Sequence, residues 1–234
     1  MRSRLSGRSG FTLIELLVVV AIIVILAAIL FPVFAAAKER GRQVVCVSNL
    51  KQLGTAFQQY CDDNAGRMPS CGTYMNWSSN AFENDWCGCQ LTGGVGSQAY
   101  PARGSIFPYV RNKAIYLCPS DKNVPAQHAG NLRNYALSYS MNWFLHHFPL
   151  DSIQSRAKVL LLIHESRETI NDGLFLWNQG TNDDMPDNVH YVGTTALYVD
   201  LHARWAPYTA LVAARSSYVW LCFPNQGNPP YNLP

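Results

Sequence analysis

The residue whose type and position most clearly point to chemistry is Glu15, a carboxylate at the start of a long apolar stretch. Residues 16–37, which follow it, contain no Asp, Glu, Lys or Arg. Placing an ionised carboxylate near the interior of a bilayer costs roughly 2.5 to 3.5 kcal/mol, so such groups persist mainly where a partner is present. Glu15 therefore predicts a positively charged partner.

The apolar stretch is long enough to cross a membrane, because residues 16–37 as a helix span about 33 Å at ~1.5 Å per residue. A cleaved secretory signal has an apolar core of roughly 7 to 15 residues followed by a small-residue cleavage site. Here the small residues that end at Gly10 precede the apolar stretch. The residues favour a retained membrane segment, with a plain signal anchor and an incidental Glu15 as the alternative.

The block GFTLIE at residues 10–15 resembles the class III signal of type IV pilins and type II secretion pseudopilins. The resemblance implies that a membrane-embedded prepilin peptidase cuts between Gly10 and Phe11 and methylates the new amino terminus at Phe11. The leader, residues 1–10, is then lost. It further implies that Glu15 pairs with the terminal amine of a neighbouring subunit during filament assembly, which supplies the positive partner.

Charge argues against a nucleic-acid partner. The chain has 18 Lys plus Arg against 15 Asp plus Glu. The leader carries Arg2, Arg4 and Arg8 and no acidic residue, so its removal leaves a formally neutral protein. Without a basic excess there is no electrostatic footprint for nucleic acid.

An amphipathic stripe continues the apolar stretch toward the C-terminus. Cys46, Leu50, Leu53, Phe57 and Tyr60 recur at intervals of four and three, which is the spacing of one helix face. The sequence thus predicts one helix of about fifty residues, with its membrane and assembly part at residues 11–37 and an amphipathic continuation at residues 38–61.

Two further features set the shape and end of this helix. Pro32 removes one backbone hydrogen bond, so we expect a kink or local loosening near it. Turn residues follow Cys61, and they predict that the helix ends there. Residues 62–234 are long enough for one exported head domain with its own core.

The head domain reads as an extended loop region over residues 62–104, followed by strands. Aromatic and branched residues predict strands at residues 135–141, 158–164, 174–177 and 195–205, the last with strict apolar and polar alternation. We expect an antiparallel sheet packed on the helix. The predicted fold class is α+β and pilin-like.

Three shorter elements extend the resemblance to a pilin-like bacterial family that carries a His-x9-Asp-Gly motif. His190 and Asp200 have that spacing, although Leu201 stands where the family has glycine. The helix segment that begins at Cys46 and the sequence Cys118-Pro-Ser-Asp121 also resemble this family.

Seven cysteines are many for a domain that would be exported, where disulfides persist. Cys71, Cys87 and Cys89 lie in the loop region, where a disulfide would limit disorder. A metal site at Cys87 and Cys89 is the alternative, although the spaced pairs of zinc modules are missing. Cys46 and Cys118 are a further candidate pair, which would link the helix to the head.

An acidic stretch at residues 182–188 contains Asp183, Asp184 and Asp187, whose oxygen ligands suit Ca²⁺. Some pseudopilins that this chain resembles hold a structural ion in a head loop. The glycine and distal glutamate of an EF-hand are missing, and a solvated turn is the competing interpretation. A structural Ca²⁺ is therefore a candidate, and no other cofactor is indicated.

Catalytic patterns are weak in this sequence. Asp200, His202 and Arg204 alternate along the predicted last strand, which more often produces a solvated row of ion pairs than a catalytic set. His164 and Glu165 lack the second histidine of a zinc-protease helix. The sequence therefore indicates a protein that is not an enzyme.

Three functional classes remain. The first is a structural subunit of a type II secretion pseudopilus, the second a surface type IV pilin for adhesion, motility or DNA uptake, and the third a membrane-tethered binding module. The resemblance implies self-association, other pseudopilins, a prepilin peptidase and methyltransferase, and an inner-membrane assembly platform with an ATPase as partners. It also implies a single-pass inner-membrane protein with its head outside the cytoplasm.

Overall fold

The structure is a computed structural model, and it describes residues 11–71, 85–91, 97–121, 126–128, 131–133, 136–170, 172–176 and 184–215. Gly10, Asp183 and the predicted leader lie outside these ranges. The chain divides into two units, Met1–Arg40 and Gly41–Pro234, and the first helix, α1 (Leu13–Asp63), contributes to both. The second unit is called the head below.

Within the first unit, α1 is apolar and exposed. Its large apolar side chains from Leu13 to Phe34 are between 47 and 80 % exposed. By length and composition alone, α1 is able to cross a membrane, as the apolar stretch predicts. The helix is continuous through Pro32, and a kink at that residue stays a prediction.

Within the head, the same helix buries one face. The buried positions follow the predicted stripe and extend it with small and polar residues: Cys46, Asn49, Leu50, Leu53, Gly54, Ala56, Phe57 and Cys61. The helix ends at Asp63, two residues beyond the predicted end. Ala65 and Gly66 then adopt positive φ, and the Gly66 N–H donates to the Cys61 carbonyl at 2.8 Å, which caps the helix.

The head contains a five-stranded sheet. Its strands are β5 (Tyr139–Asn142), β6 (Leu160–His164), β7 (Leu174–Phe175), β8 (Gly193–Tyr198) and β9 (Ala203–Pro207), in the order β7-β5-β6-β8-β9. Four strands pair antiparallel, as predicted, and β7 adds to β5 in parallel. The α+β prediction of a long helix packed on a sheet is confirmed, and the sheet is mixed.

The prediction of one strand over residues 195–205 is wrong, because the chain turns between β8 and β9. The Leu201 N–H donates to the Tyr198 carbonyl at 2.9 Å, and the Tyr198 N–H donates to the His202 carbonyl at 3.0 Å. Leu201 has a φ of 69°, the left-handed conformation that glycine adopts most easily. Leucine thus occupies the turn position of the glycine in the related motif, and the alternation of residue types concealed the turn.

The sheet is covered on both faces. Leu197 belongs to the cluster of buried residues that includes α1, and a Cβ added to Gly54 of α1 would lie 2.9 Å from Leu197 Cδ2. The absence of a side chain at Gly54 therefore allows α1 to lie close to β8. Ala196 and Tyr198 point to the other face, where they pack with Leu211 of α3 (Tyr208–Arg215).

The region predicted as an extended loop, residues 62–104, contains regular structure in its described part. It forms β1 (Cys89–Leu91), which pairs antiparallel with β2 (Ser97–Ala99). Other described elements outside the five-stranded sheet include a second small hairpin, β3 (Ala126–His128) with β4 (Asn131–Arg133), the short helix α2 (Phe107–Val110) and several short 3-10 helices.

A buried aromatic stack joins this region to α1. The Trp86 ring lies 5.6 Å from the Phe57 ring and 5.8 Å from the Tyr116 ring, between centroids. The Trp86 indole N–H donates to the Gly173 carbonyl at 2.9 Å, so its polar atom is satisfied in the core. The core of the head therefore extends well beyond the sheet.

Candidate functional site

The first candidate site is the start of α1, where Thr12 and Glu15 form a capping box. The backbone N–H and the hydroxyl of Thr12 both donate to Glu15 Oε2, at 2.9 and 2.6 Å. The Glu15 N–H donates in return to Thr12 Oγ1 at 3.3 Å. The T-x-x-E spacing is the signature of this motif, and the sequence interpretation of Glu15 as a charge that requires a positive partner missed it.

The capping box gives Glu15 a structural role in addition to its charge. Its carboxylate satisfies a backbone donor at the helix start and interacts favourably with the positive end of the helix dipole. Phe11, which would become the amino terminus after cleavage, is 73 % exposed and directly precedes Thr12. The side chain of Glu15 is therefore held at the N-terminal end of α1, beside the position that cleavage would convert into an amine.

The second candidate site is a buried polar cluster in the head, centred on His164 at the end of β6. His164 Nε2 lies 2.7 Å from Asp121 Oδ2 and 3.7 Å from Asp187 Oδ2. The three residues are nearly or fully buried. Buried charges require such pairing, since an isolated one is strongly destabilising.

The electrostatics of the cluster favour an ion pair. Burial alone would lower the pKa of His164, but the carboxylates of Asp121 and Asp187 outweigh it and raise that pKa. Burial would raise the pKa of Asp121, and His164 reverses this and lowers it. For Asp187, burial dominates over the attraction of His164, and its pKa is raised. We infer that Asp121 is the carboxylate that carries the charge of the pair.

A disulfide and a second histidine adjoin this cluster. Cys46 of α1 and Cys118 are joined, with Cα atoms 5.4 Å apart and a sequence separation of 72. Nε2 of His190 lies 3.3 Å from Cys118 Sγ, and the His164 and His190 rings are 5.5 Å apart. His190, the histidine of the His-x9-Asp motif, is thus a core residue, whereas Asp200 lies in the exposed turn before β9.

The other predicted disulfide residues do not pair with one another. Cys71, Cys87 and Cys89 are buried, and no disulfide joins them to one another. The disulfide predicted for the loop region is therefore not formed among these three residues. Instead, Asp85 organises this segment, because its Oδ1 accepts from the backbone N–H groups of Cys87 and Cys89 at 3.1 and 2.8 Å. Cys87, Cys89 and Asp85 place their ligand atoms within 4.8 Å of one another.

Two carboxylates of the acidic stretch, those of Asp184 and Asp187, are buried in the head. Asp184 Oδ2 accepts from the Leu176 N–H at 2.6 Å, and Asp187 Oδ1 accepts from the Val189 N–H at 2.7 Å. The two side chains are buried and serve different parts of the fold. Because Asp183 lies outside the described residues, Ca²⁺ binding stays a prediction.

The Asp200, His202 and Arg204 row does not lie on one strand, because Asp200 and His202 precede β9 and Arg204 lies on it. Asp200 accepts from the His202 backbone N–H at 3.1 Å and contacts its ring. Arg204 instead lies over the Tyr198 ring, 5.3 Å from its centroid. These contacts stabilise the β8–β9 turn.

The buried cluster is the feature that sequence reasoning missed. Its residues come from α1, from the turn after Tyr116, from β6 and from the segment before β8, so no local spacing connects them. Only the sequence Cys118-Pro-Ser-Asp121 is a local signal, since it contributes both a cysteine and a carboxylate. His164 ends a fully apolar strand, and a buried histidine there requires a partner.

Comparison with known proteins finds a family motif in the N-terminal segment and similarity to two pilus proteins over about a quarter of the chain. The Prokaryotic N-terminal methylation motif matches residues 5–31. The type IV major pilin protein PilA of Myxococcus xanthus is 51 % identical over 59 residues, 25 % of this chain and 27 % of that protein. The type IV wide pilus major component PilA4 of Thermus thermophilus is 47 % identical over 55 residues, 24 % of this chain and 42 % of that protein.

The chain thus matches less than half the length of these curated relatives. No solved structure matches it. The fold and the start of α1 define an α+β protein with a long apolar N-terminal helix packed on a sheet. The prepilin-type methylation motif and the identity with two type IV major pilus components show that part of this chain is similar to type IV pilins.

Proposed function

We propose that this chain is a structural subunit of a type IV pilus-like filament, cut between Gly10 and Phe11 by a prepilin peptidase and assembled through α1. The observation that carries the proposal is the methylation motif at the start of a helix whose large apolar side chains are exposed. An apolar surface of this length requires a lipid or protein environment.

In this proposal, the membrane holds the subunit until assembly and the filament then replaces the lipid around α1. The chain is a single-pass inner-membrane protein with its head outside the cytoplasm, and an assembly platform with an ATPase adds subunits. Glu15 neutralises the amine of Phe11 on a neighbouring subunit. Thr12 fixes the carboxylate at the helix start, which lowers the entropic cost of forming that pair.

The finer assignment within this class is a pseudopilus of type II secretion. Type IV pilins commonly close the head with a C-terminal disulfide loop, and this chain has one late cysteine, Cys222. A surface type IV pilus is the second candidate, and it is favoured by the names of the relatives, both of which are major pilus components. A membrane-tethered binding module becomes the conclusion if the chain does not polymerise.

The test separates the charge of Glu15 from its capping role. Glu15→Gln keeps an oxygen acceptor for Thr12 and removes the charge, whereas Thr12→Ala removes the hydroxyl and keeps the charge. Both variants and Glu39→Gln, a matched removal of charge further along α1, are expressed with the native assembly machinery. Mass spectrometry scores cleavage and methylation at Phe11, and shearing measures filaments.

We expect Glu15→Gln to be processed and absent from sheared filaments, Thr12→Ala to retain partial assembly, and Glu39→Gln to assemble normally. Filaments of Glu15→Gln at wild-type yield would overturn the role of the charge. An intact Met1 in the membrane form would overturn processing. If the wild-type chain is processed and never found in filaments, the tethered binding module replaces the filament proposal.

Deletion of the gene separates the two filament classes. Loss of secreted proteins with unchanged surface fibres supports a pseudopilus. Loss of surface fibres, with adhesion, motility or DNA uptake, supports a surface pilus and contradicts the finer assignment.

A further inference from the structure

Two cysteines and two histidines from four distant parts of the chain meet at one buried point in the head. Cys46 lies on α1, Cys118 lies in a turn, His164 ends β6, and His190 precedes β8. All four side chains are fully buried. One ligand atom of each residue lies within 4.8 Å of the other three.

This set has the ligands of a structural zinc site. Zn²⁺ in such sites is tetrahedral, with Zn–S distances of about 2.3 Å and Zn–N distances of about 2.0 to 2.1 Å, so neighbouring ligand atoms lie roughly 3.4 to 3.8 Å apart. The grouping is close to that spacing except between the two sulfurs, which the disulfide holds at bonding distance and which would separate on reduction; His190 Nε2 already lies 3.3 Å from Cys118 Sγ. We propose that Cys46, Cys118, His164 and His190 bind one Zn²⁺ when the two cysteines are reduced.

The orientation of His164 is an independent observation that points to a metal. Its Nε2 is engaged by Asp121 at 2.7 Å, and its buried Nδ1 has no hydrogen-bond partner among the described residues. Nδ1 is therefore the nitrogen left for a metal. A histidine that donates through one nitrogen to a carboxylate and binds metal through the other is the usual arrangement in zinc sites, because the carboxylate fixes the tautomer and the ring.

The turn that contains Cys118 completes the surroundings of the site. The Ser120 N–H donates to Cys118 Sγ at 3.4 Å, which stabilises negative charge on this sulfur. The Asp121 N–H donates to the Cys118 carbonyl at 3.0 Å, so one turn positions a ligand and the carboxylate behind another ligand. This geometry gives a physical reason for the spacing of the cysteine and the carboxylate in Cys118-Pro-Ser-Asp121.

The charges and electrons of the two states balance. When Zn²⁺ binds, the thiols of Cys46 and Cys118 release two protons to solvent, a protonated His164 releases the proton on Nδ1, and the two thiolates neutralise the ion. When the disulfide forms, the two sulfurs give two electrons to a disulfide oxidant such as oxidised glutathione, and the ion leaves because no thiolate remains. Zinc and the disulfide are thus alternative links between α1 and the rest of the head.

The test uses the full chain in detergent micelles, reduced with dithiothreitol, incubated with Zn²⁺ and freed of excess ion by gel filtration. We expect about one zinc per chain by elemental analysis. Replacement with Co²⁺ should produce the absorption of a tetrahedral ion with two thiolate ligands. Oxidised glutathione should release the zinc in step with the loss of two thiols.

Variants locate the site. Cys118→Ser and His190→Ala should each lower zinc affinity at least tenfold, and Asp121→Asn should lower it about 10- to 100-fold through His164. Cys61→Ser and His202→Ala are matched controls outside the cluster and should retain full occupancy. Circular dichroism checks that each variant is folded.

Three results would overturn the proposal. The first is a reduced wild-type chain that retains no zinc. The second is a Co²⁺ spectrum of the wild-type chain without thiolate-to-metal charge transfer, which decides the matter even if a ligand variant fails to fold. The third is loss of zinc in Cys87→Ser with retention in Cys118→Ser, which would move the ion to the segment around Asp85.

Discussion

The two ends of α1 use the same types of residue in opposite ways. From Leu13 to Phe34 the large apolar side chains are 47 to 80 % exposed, whereas Leu50, Leu53 and Phe57 are at most 1 % exposed. The difference shows that the sequence of α1 encodes two environments. The first end leaves its apolar side chains exposed, and the second end is part of the head's own core.

This comparison predicts that the same substitution has unequal effects at the two ends. Phe57→Ala should destabilise the head by about 3 to 5 kcal/mol, because Phe57 is buried against Trp86 and leaves a cavity. Phe34→Ala, at a residue that is 64 % exposed, should change the free energy of unfolding of the head by less than about 0.5 kcal/mol.

Urea unfolding of the full chain in detergent, followed by tryptophan fluorescence, measures both variants. Equal losses of stability would show that the head depends on the first end of α1, and the division of the helix into two environments would be wrong. The Phe34→Ala variant is instead expected to show its effect in filament yield.

The next largest effect is expected at the disulfide that joins Cys46, in the second end of α1, to Cys118. Under oxidising conditions with a chelator present, Cys46→Ser should destabilise the head by about 2 to 4 kcal/mol, because the disulfide closes a loop over a sequence separation of 72. Cys61→Ser, a buried free thiol on the same helix, is the matched control.

Thermal unfolding with and without reductant checks this prediction. Reductant should lower the melting temperature of the wild type and leave that of Cys46→Ser unchanged. A wild-type melting temperature that does not respond to reductant contradicts a stabilising disulfide.

The same contrast explains what the sequence could predict. The start of α1, its length and its buried stripe follow from local composition and periodicity, and the structure has them. The cluster around His164 depends on contacts between residues far apart, such as His164 and Asp121, and local patterns carry little of that information; the sequence offers only Cys46 and Cys118 as a candidate pair. The predicted strand over residues 195–205 failed for another reason. Leu201 is an apolar residue in a left-handed turn, so it continues the apolar and polar alternation that is typical of a strand.

Burial of acidic groups distinguishes the head from the exposed Glu15 and predicts a pH dependence. Burial raises the pKa of Asp85 to about 7, against the hydrogen bonds from Cys87 and Cys89 that lower it. The unfolded carboxyl has a pKa of about 3.9, so the folded head binds more protons between these values. Its stability should therefore fall as pH rises from about 4 to about 7.

Asp85→Asn keeps the Oδ1 acceptor and removes this titration, so the variant should gain stability relative to the wild type across that pH range. Melting temperatures of both proteins at a series of pH values measure the gap. Asp172→Asn is a matched comparison, because burial raises the pKa of Asp172 to about 6. The difference in melting temperature between Asp172→Asn and the wild type should therefore stop widening at a lower pH than for Asp85→Asn. A gap that is constant with pH contradicts a buried, protonated Asp85.

The smallest expected effect lies at the β8–β9 turn, where the head packs on the second end of α1. Leu201 has a φ of 69°, and its Cδ2 would lie 3.2 Å from a Cβ on Gly54. Leu201→Gly relieves the left-handed conformation and loses this packing, so the change in unfolding free energy should stay within about 0.5 kcal/mol. Leu201→Val should cost about 1 kcal/mol, because a branched Cβ is disfavoured at positive φ.

Urea midpoints rank the two variants. If valine is tolerated as well as glycine, residue 201 does not need the left-handed conformation, and the comparison with the glycine of the related motif fails.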